Sequence, residues 1–183
     1  VDHNVVKSGV IHDPYRIDAT FGTLFYILSK GGKIILMTHV GRPKDKKTGK
    51  ITIDAKTSVQ PIVDYLEDKL HIKIEVPDFY SHEDNGYLSI ETNVNHSIRR
   101  LRNHDVDMIY LPNTRWFTGE EAKGEEQDRF ANQLAGLADI YVNDAFGSWQ
   151  AHASTVGVTK YLPSYAGFLM QREIENLNRI FEA

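Results

Sequence analysis

Two of the three short apolar runs in this sequence end in a segment that carries an arginine. Run 33–37 is followed by His39 and Arg42, and run 107–111 is followed by Arg115. A guanidinium group carries N–H donors in a fork that matches the geometry of phosphate and carboxylate groups. The residue types and their spacing therefore predict a site for a small molecule that carries several negative charges.

The elements that would position these side chains alternate between strand and helix patterns. Short apolar runs separated by helical periodicity are typical of buried parallel strands, and they predict an α/β fold with a largely parallel sheet. In such sheets, ligands bind outside the carboxyl ends of the strands. We predict helices over 13–30, 59–70, 94–101, 130–137 and from 168 onward, strands at 33–37, 72–76, 108–111 and 140–142, and an irregular segment at 79–93.

Each segment after a strand also has a simpler interpretation. Gly41 allows a ligand to approach the backbone, but a polar loop after a strand is common on any protein surface. Arg115 precedes Trp116 and could stack on it as a structural residue. Asn143 and Asp144 end the third run, where such residues often only form a turn. The combination predicts an anion site more strongly than any one segment does.

Arg16 is placed against the helix dipole. It falls in the first turn of the first predicted helix, where a cation is disfavoured, so we expect its function to lie outside that helix. Asp2 and Asn4 precede it at the start of the chain, where Asp2 could accept a hydrogen bond from a ligand hydroxyl. His152 could contact a ligand, although a single histidine is more often structural. The acidic run 119–126 is most simply a solvated helix start.

Composition excludes several classes of function. The 183 residues include no cysteine, so disulfides, zinc ribbons and thiol catalysis are excluded. A net charge of −4 is not that of a nucleic-acid-binding domain. No apolar run has the roughly 20 residues of a membrane span. Neither a glycine-rich nucleotide loop nor a helical pair of histidines is present, so we expect no nucleotide or metal site in this chain. We expect both ends to be cuts within a longer protein.

These motifs together resemble those of the phosphoglycerate kinase family. The resemblance runs from Val1 to about Ala183 and is carried, in order, by Val1–Val5, His39–Pro43, Asn113–Trp116, Asn143–Gly147 and Ala151–Thr155. It implies one three-layer αβα Rossmann-like domain over 1–183, namely the family's N-terminal domain, which binds 3-phosphoglycerate. The C-terminal domain, which binds MgATP or MgADP, would be absent, so this chain alone is expected to bind substrate without turnover. The implied protein is a cytoplasmic, monomeric enzyme of glycolysis with no nucleic-acid or membrane partner.

The resemblance also implies roles for individual residues. Arg16 matches the arginine that stabilises the phosphoryl group during transfer, and it is the expected catalytic residue. The expected substrate-binding residues are Asp2, Asn4, Arg16, His39, Val40, Gly41, Arg42, Arg115 and Gln150.

One departure from the family pattern keeps an alternative open. The segment before Ala151 is one residue shorter than in the family, and Gln150 stands where the family has a phosphate-binding arginine. Losing one charge-assisted contact would cost about 1.5–3 kcal/mol. The alternative is therefore a diverged phosphoanion-binding module without catalysis. A generic α/β domain, whose motifs only support the fold, is the simplest third possibility.

Overall fold

Two sets of parallel strands form the centre of the fold. The computed structural model describes residues 6–7, 9–148 and 150–181. The strands are β1 (Val6–Lys7), β2 (Val10–Ile11), β3 (Ile34–Leu36), β4 (Ile74–Glu75), β5 (Met108–Tyr110), β6 (Tyr141–Asn143) and β7 (Ser164–Ala166). One parallel set has the order β3-β5-β4, and the other pairs β6 with β7. Strands β1 and β2 form an antiparallel hairpin outside both sets.

Helices connect the parallel strands. They are α1 (Tyr15–Asp18), α2 (Phe21–Ser29), α3 (Gln60–Leu70), α4 (Val94–Arg102), α5 (Glu125–Ala135) and α6 (Phe168–Phe181), with 3₁₀ turns at Ala55–Thr57, Thr114–Trp116 and Gly157–Lys160. The alternation of strand and helix confirms the predicted α/β class, and segment 79–93 contains only isolated bridges, as predicted.

The two faces of β5 explain why its sequence is apolar at every position. Met108 and Tyr110 pack into the core with α3, whereas Ile109 and Leu111 pack into the core with α4 and α5. Successive side chains of a strand point to opposite faces, so a strand covered on both sides must be apolar throughout. Helices therefore cover both faces of the sheet, which gives the three layers that were expected.

The first predicted helix is in fact two. Residues 15–18 and 21–29 are separate helices, joined by a turn at Ala19 and Thr20. The Thr20 hydroxyl donates to the Ile17 carbonyl at 2.7 Å, which is the side-chain bond that competes with helical bonding. Strand β7 and the hairpin of β1 and β2 were not predicted, because neither lies in an apolar run of the kind that marks β3 and β5, and two of the three residues of β7, Ser164 and Tyr165, are exposed.

The side chain of Thr23 joins α2 to the end of β6 and to α6. Its hydroxyl donates to Asp144 Oδ2 at 2.7 Å and accepts from the Phe168 amide at 2.9 Å. Asp144 Oδ1 in turn accepts from the Met170 amide at 3.1 Å. The segment after β6 is thereby held against two helices.

We expect Thr23→Val to destabilise the fold by about 1–3 kcal/mol, because a half-buried carboxylate oxygen and a half-buried amide lose their partner. The free energy of unfolding in urea measures the loss. Ser29→Ala is the matched control, since that exposed hydroxyl bonds only within its own helix, and its change should stay within about 0.5 kcal/mol. Equal effects of the two substitutions would show that Thr23 does not join these elements.

Candidate functional site

The amide side chain of Asn113 joins the loop after β3 to the loop after β5. Its Oδ1 accepts from the Val40 amide at 3.2 Å and the Arg115 amide at 3.0 Å, and its Nδ2 donates to the carbonyls of Val40 at 2.7 Å and Thr57 at 2.8 Å. Asn113 is fully buried, and these four bonds use both its donors and both its acceptors. The two predicted anion-binding loops are therefore built as one unit.

Gly41 sits in that unit in a backbone conformation that favours glycine. Its φ of +62° lies in the left-handed region, and a Cβ there would be 3.2 Å from the Thr57 side chain. Its carbonyl accepts from Arg115 Nη1 at 2.7 Å. The His39–Pro43 loop therefore contacts the Arg115 guanidinium directly.

Arg115 is mostly buried and is held by a carboxylate rather than by an aromatic ring. Its side chain is 12% exposed, and its Nε lies 3.1 Å from Glu121 Oε1. The neighbouring Trp116 instead donates from Nε1 to Thr57 Oγ1 at 3.0 Å. The stacked structural role considered for Arg115 beside Trp116 is therefore wrong.

Glu120 is a buried carboxylate beneath the loops, which corrects the prediction of a solvated helix start at 119–126. Helix α5 begins only at Glu125, and Glu120 is fully buried. Its Oε1 accepts from the hydroxyls of Ser154 at 2.5 Å and Thr114 at 3.1 Å, and its Oε2 accepts from the Ser154 amide at 3.0 Å. Burial raises the pKa of Glu120 above its ordinary value, and the bonds from Ser154 oppose that rise.

His152 lies between the two glutamates. Its Nδ1 is 4.0 Å from Glu120 Oε1 and its Nε2 is 3.8 Å from Glu121 Oε1, and 14% of its side chain is exposed. Segment 151–155 therefore packs against the segment that follows the Arg115 loop through polar side chains.

Arg16 and His39 line a second part of the same edge. Both border a cavity of about 720 Å³ that runs between β3 and β6, together with Thr38 and residues 143–148. A Cβ on Gly147 would lie 3.4 Å from Arg16 Nη1, so the guanidinium packs close to that backbone. The segment after β6 thus lies close to Arg16. The loop after β3 lines the same cavity as Arg16 through His39 and contacts Arg115 through the Gly41 carbonyl.

The other predicted site residues are either exposed or lie outside the part of the chain that the structure describes. Arg42 is exposed beside Gly41. Gln150 is exposed, and its carbonyl accepts from Thr155 Oγ1 at 2.6 Å and from the His152 amide at 2.8 Å. Asp2 and Asn4 lie outside the described residues.

Comparison with known proteins decides the family. The family model for phosphoglycerate kinase matches residues 1–183. The chain belongs to the phosphoglycerate kinase family. It is 40% identical over 182 residues to phosphoglycerate kinase of Fervidobacterium nodosum, and 39% identical over 184 residues to that of Pseudothermotoga lettingae, with 98% of this chain covered in each case. A solved structure of phosphoglycerate kinase from Coxiella burnetii superposes over 97% of the chain, with a TM-score of 0.68 and 27% identity.

The chain spans about 40% of the length of the phosphoglycerate kinases that it matches. Among its described residues, no helix is long and apolar enough to cross a membrane. Within the same part of the chain, no cluster of three or more His, Asp or Glu side chains is arranged to hold a metal ion.

Sequence reasoning missed Glu120 and Glu121 as members of this edge, whereas it considered His152 as a possible ligand contact. The acidic run gave a misleading signal, because consecutive glutamates are usual in a first helical turn. A usable signal was present in Ser154, since a hydroxyl residue between small residues can approach a buried carboxylate. Neither the acidic run nor the residues around Ser154 predict which glutamate is buried, because that depends on the path of segment 117–124.

The raised pKa of Glu120 predicts a pH dependence of stability. A carboxyl group whose folded pKa exceeds its unfolded pKa favours folding at low pH, and this contribution is lost as pH rises from about 4.5 through the folded value. We therefore expect the free energy of unfolding of the natural chain to fall relative to that of Glu120→Gln between pH 4.5 and pH 8. Urea unfolding across this range measures it.

Glu125→Gln is the control, because this exposed side chain starts α5. The difference in stability between that variant and the natural chain should not show the same fall. A difference between the natural chain and Glu120→Gln that is constant with pH would contradict the assignment.

Proposed function

We propose that this chain is the substrate-binding domain of a phosphoglycerate kinase and that it holds 3-phosphoglycerate at the carboxyl ends of its parallel strands. The full protein would transfer a phosphoryl group between 1,3-bisphosphoglycerate and ADP. The contact that supports this best is the one between Arg115 and Gly41, because it joins the two arginine-bearing loops. Family membership supports the same reaction.

Each polar group then has a separate task in the proposed reaction. Arg115, Arg42 and His39 would neutralise the phosphate and carboxylate of the substrate, with the backbone of Val40 and Gly41 shaping the loop around it. Asp2 and Asn4 would bond the substrate hydroxyl, and Gln150 would donate one neutral hydrogen bond. Arg16 would stabilise the charge on the phosphoryl group during its transfer. Phosphoryl transfer depends mainly on such positioning and charge stabilisation.

The second substrate would be bound by the C-terminal domain of the same protein. MgATP or MgADP would occupy that domain, and closure of the two domains would bring the reacting groups together. We further propose that the protein works as a monomer in the cytoplasm, without nucleic-acid partners. The alternative of a diverged anion-binding module is favoured by one observation, the neutral Gln150.

Binding without turnover is the first test of this function. We expect isothermal titration to show that residues 1–183 bind 3-phosphoglycerate and not MgATP, and we expect no turnover when both are present. Arg115→Ala should weaken binding at least about tenfold, because it removes a charge-assisted contact. Arg99→Ala, which removes an exposed arginine of α4, is the control and should leave affinity unchanged. Tight MgATP binding, or turnover by this chain alone, would refute the proposal.

The role of Arg16 separates the kinase from the module. In the full protein, Arg16→Ala should lower kcat by about a hundredfold and change KM by less than about threefold, because its interaction is made mainly in the transition state. Steady-state kinetics with varied 3-phosphoglycerate measure both constants. Equal loss in affinity and turnover would contradict the catalytic role, and a natural full protein that binds 3-phosphoglycerate without turnover would favour the module.

A further inference from the structure

The Glu121 carboxylate lies beside the Arg115 guanidinium and the His152 imidazole at the proposed anion site. Its Oε1 is 3.1 Å from Arg115 Nε and 3.8 Å from His152 Nε2. Resting on the proposed function, we propose that Glu121 is a positioning residue that acts through Arg115 and limits how tightly this site holds a phosphate group.

The contacts of Arg115 show which edge of its guanidinium a ligand can reach. Glu121 lies against Nε, and the Gly41 carbonyl accepts from Nη1 at 2.7 Å. Among the described residues, Nη2 has no partner. A phosphate must therefore approach through the edge formed by Nη1 and Nη2, because the edge that contains Nε faces a carboxylate of the same sign as the ligand.

Burial of Arg115 makes the neighbouring charge of Glu121 effective at this distance. The Arg115 side chain is only 12% exposed, so solvent and salt screen this pair less than they would a pair in which both side chains are exposed. A negative charge there cancels part of the field that Arg115 presents to an anion. The carboxylate thus both orients the guanidinium and lowers its affinity for phosphate.

The alternative is that Glu121 only supports the structure, and the direction of the effect separates the two. A residue that only holds Arg115 in place would weaken anion binding when it is changed. A residue that also competes for Arg115 would strengthen binding when its charge is removed but its size and polarity are kept. Glu121→Gln makes that change, because the amide has the shape of the carboxylate and can occupy the same place beside Nε.

We expect Glu121→Gln to bind inorganic phosphate about three- to tenfold more tightly than the natural chain, as expected for removing one like charge several ångströms from the ligand. Glu121→Ala should bind less tightly than Glu121→Gln, because it also removes the side chain that lies against Arg115 Nε. NMR titration of residues 1–183 with phosphate, and then with 3-phosphoglycerate, measures these affinities. Urea unfolding shows that each variant is folded.

Glu125→Gln is the matched control, since it removes the same charge from the exposed first turn of α5. Affinity that is unchanged or weaker in Glu121→Gln, or an equal gain in Glu125→Gln, would overturn the inference. Arg115→Ala in the same titration separates a failure of this inference from a failure of the proposed function. If it abolishes phosphate binding while Glu121→Gln has no effect, only this inference fails; if it leaves binding intact, the proposed function fails.

Discussion

The four hydrogen bonds of Asn113 are the interaction on which the rest of the site depends. A fully buried amide with every donor and acceptor used can occupy only one orientation. That orientation holds three segments in a fixed arrangement relative to one another: the loop after β3, the 3₁₀ turn at Ala55–Thr57 and the backbone of Arg115. Removing the Asn113 side chain would leave buried carbonyl and amide groups without hydrogen-bond partners, and such unsatisfied groups destabilise a protein interior.

Charge is balanced on this edge in two layers. Glu120 lies in the interior, where hydroxyl and amide donors from the β5 loop and from segment 151–155 satisfy it. Glu121 follows it in the chain but reaches the surface layer, where it meets Arg115 and His152. One carboxylate therefore joins backbone segments, whereas the other lies beside the side chains of the proposed anion site. Adjacent residues of the same type perform different functions because the chain turns between them.

The sequence predicted the parts of this fold that depend on repeated local patterns. Met108–Tyr110 and the helix of Ile62, Val63 and Leu66 were predictable because periodicity and burial on both faces are written in consecutive residues. The approach of Arg115 to Gly41 was predictable only as a shared edge, since parallel strands end together. The clamp by Asn113 and the burial of Glu120 were not predictable, because each depends on partners 34 to 73 residues away along the chain.

The resemblance to the family places Gln150 where an arginine would contact the substrate phosphate, and its surroundings show what such an exchange would change. Its carbonyl helps to form the turn that carries His152, and a backbone contact of this kind does not require an arginine side chain. The fold of segment 150–155 is therefore compatible with either residue, and the proposed effect of the exchange is on the charge of the site. With one cation fewer, Arg115 would contribute a larger share of the positive charge that meets a phosphate. The carboxylate that pairs with Arg115 would accordingly have more influence on affinity here than in a relative that has the additional arginine.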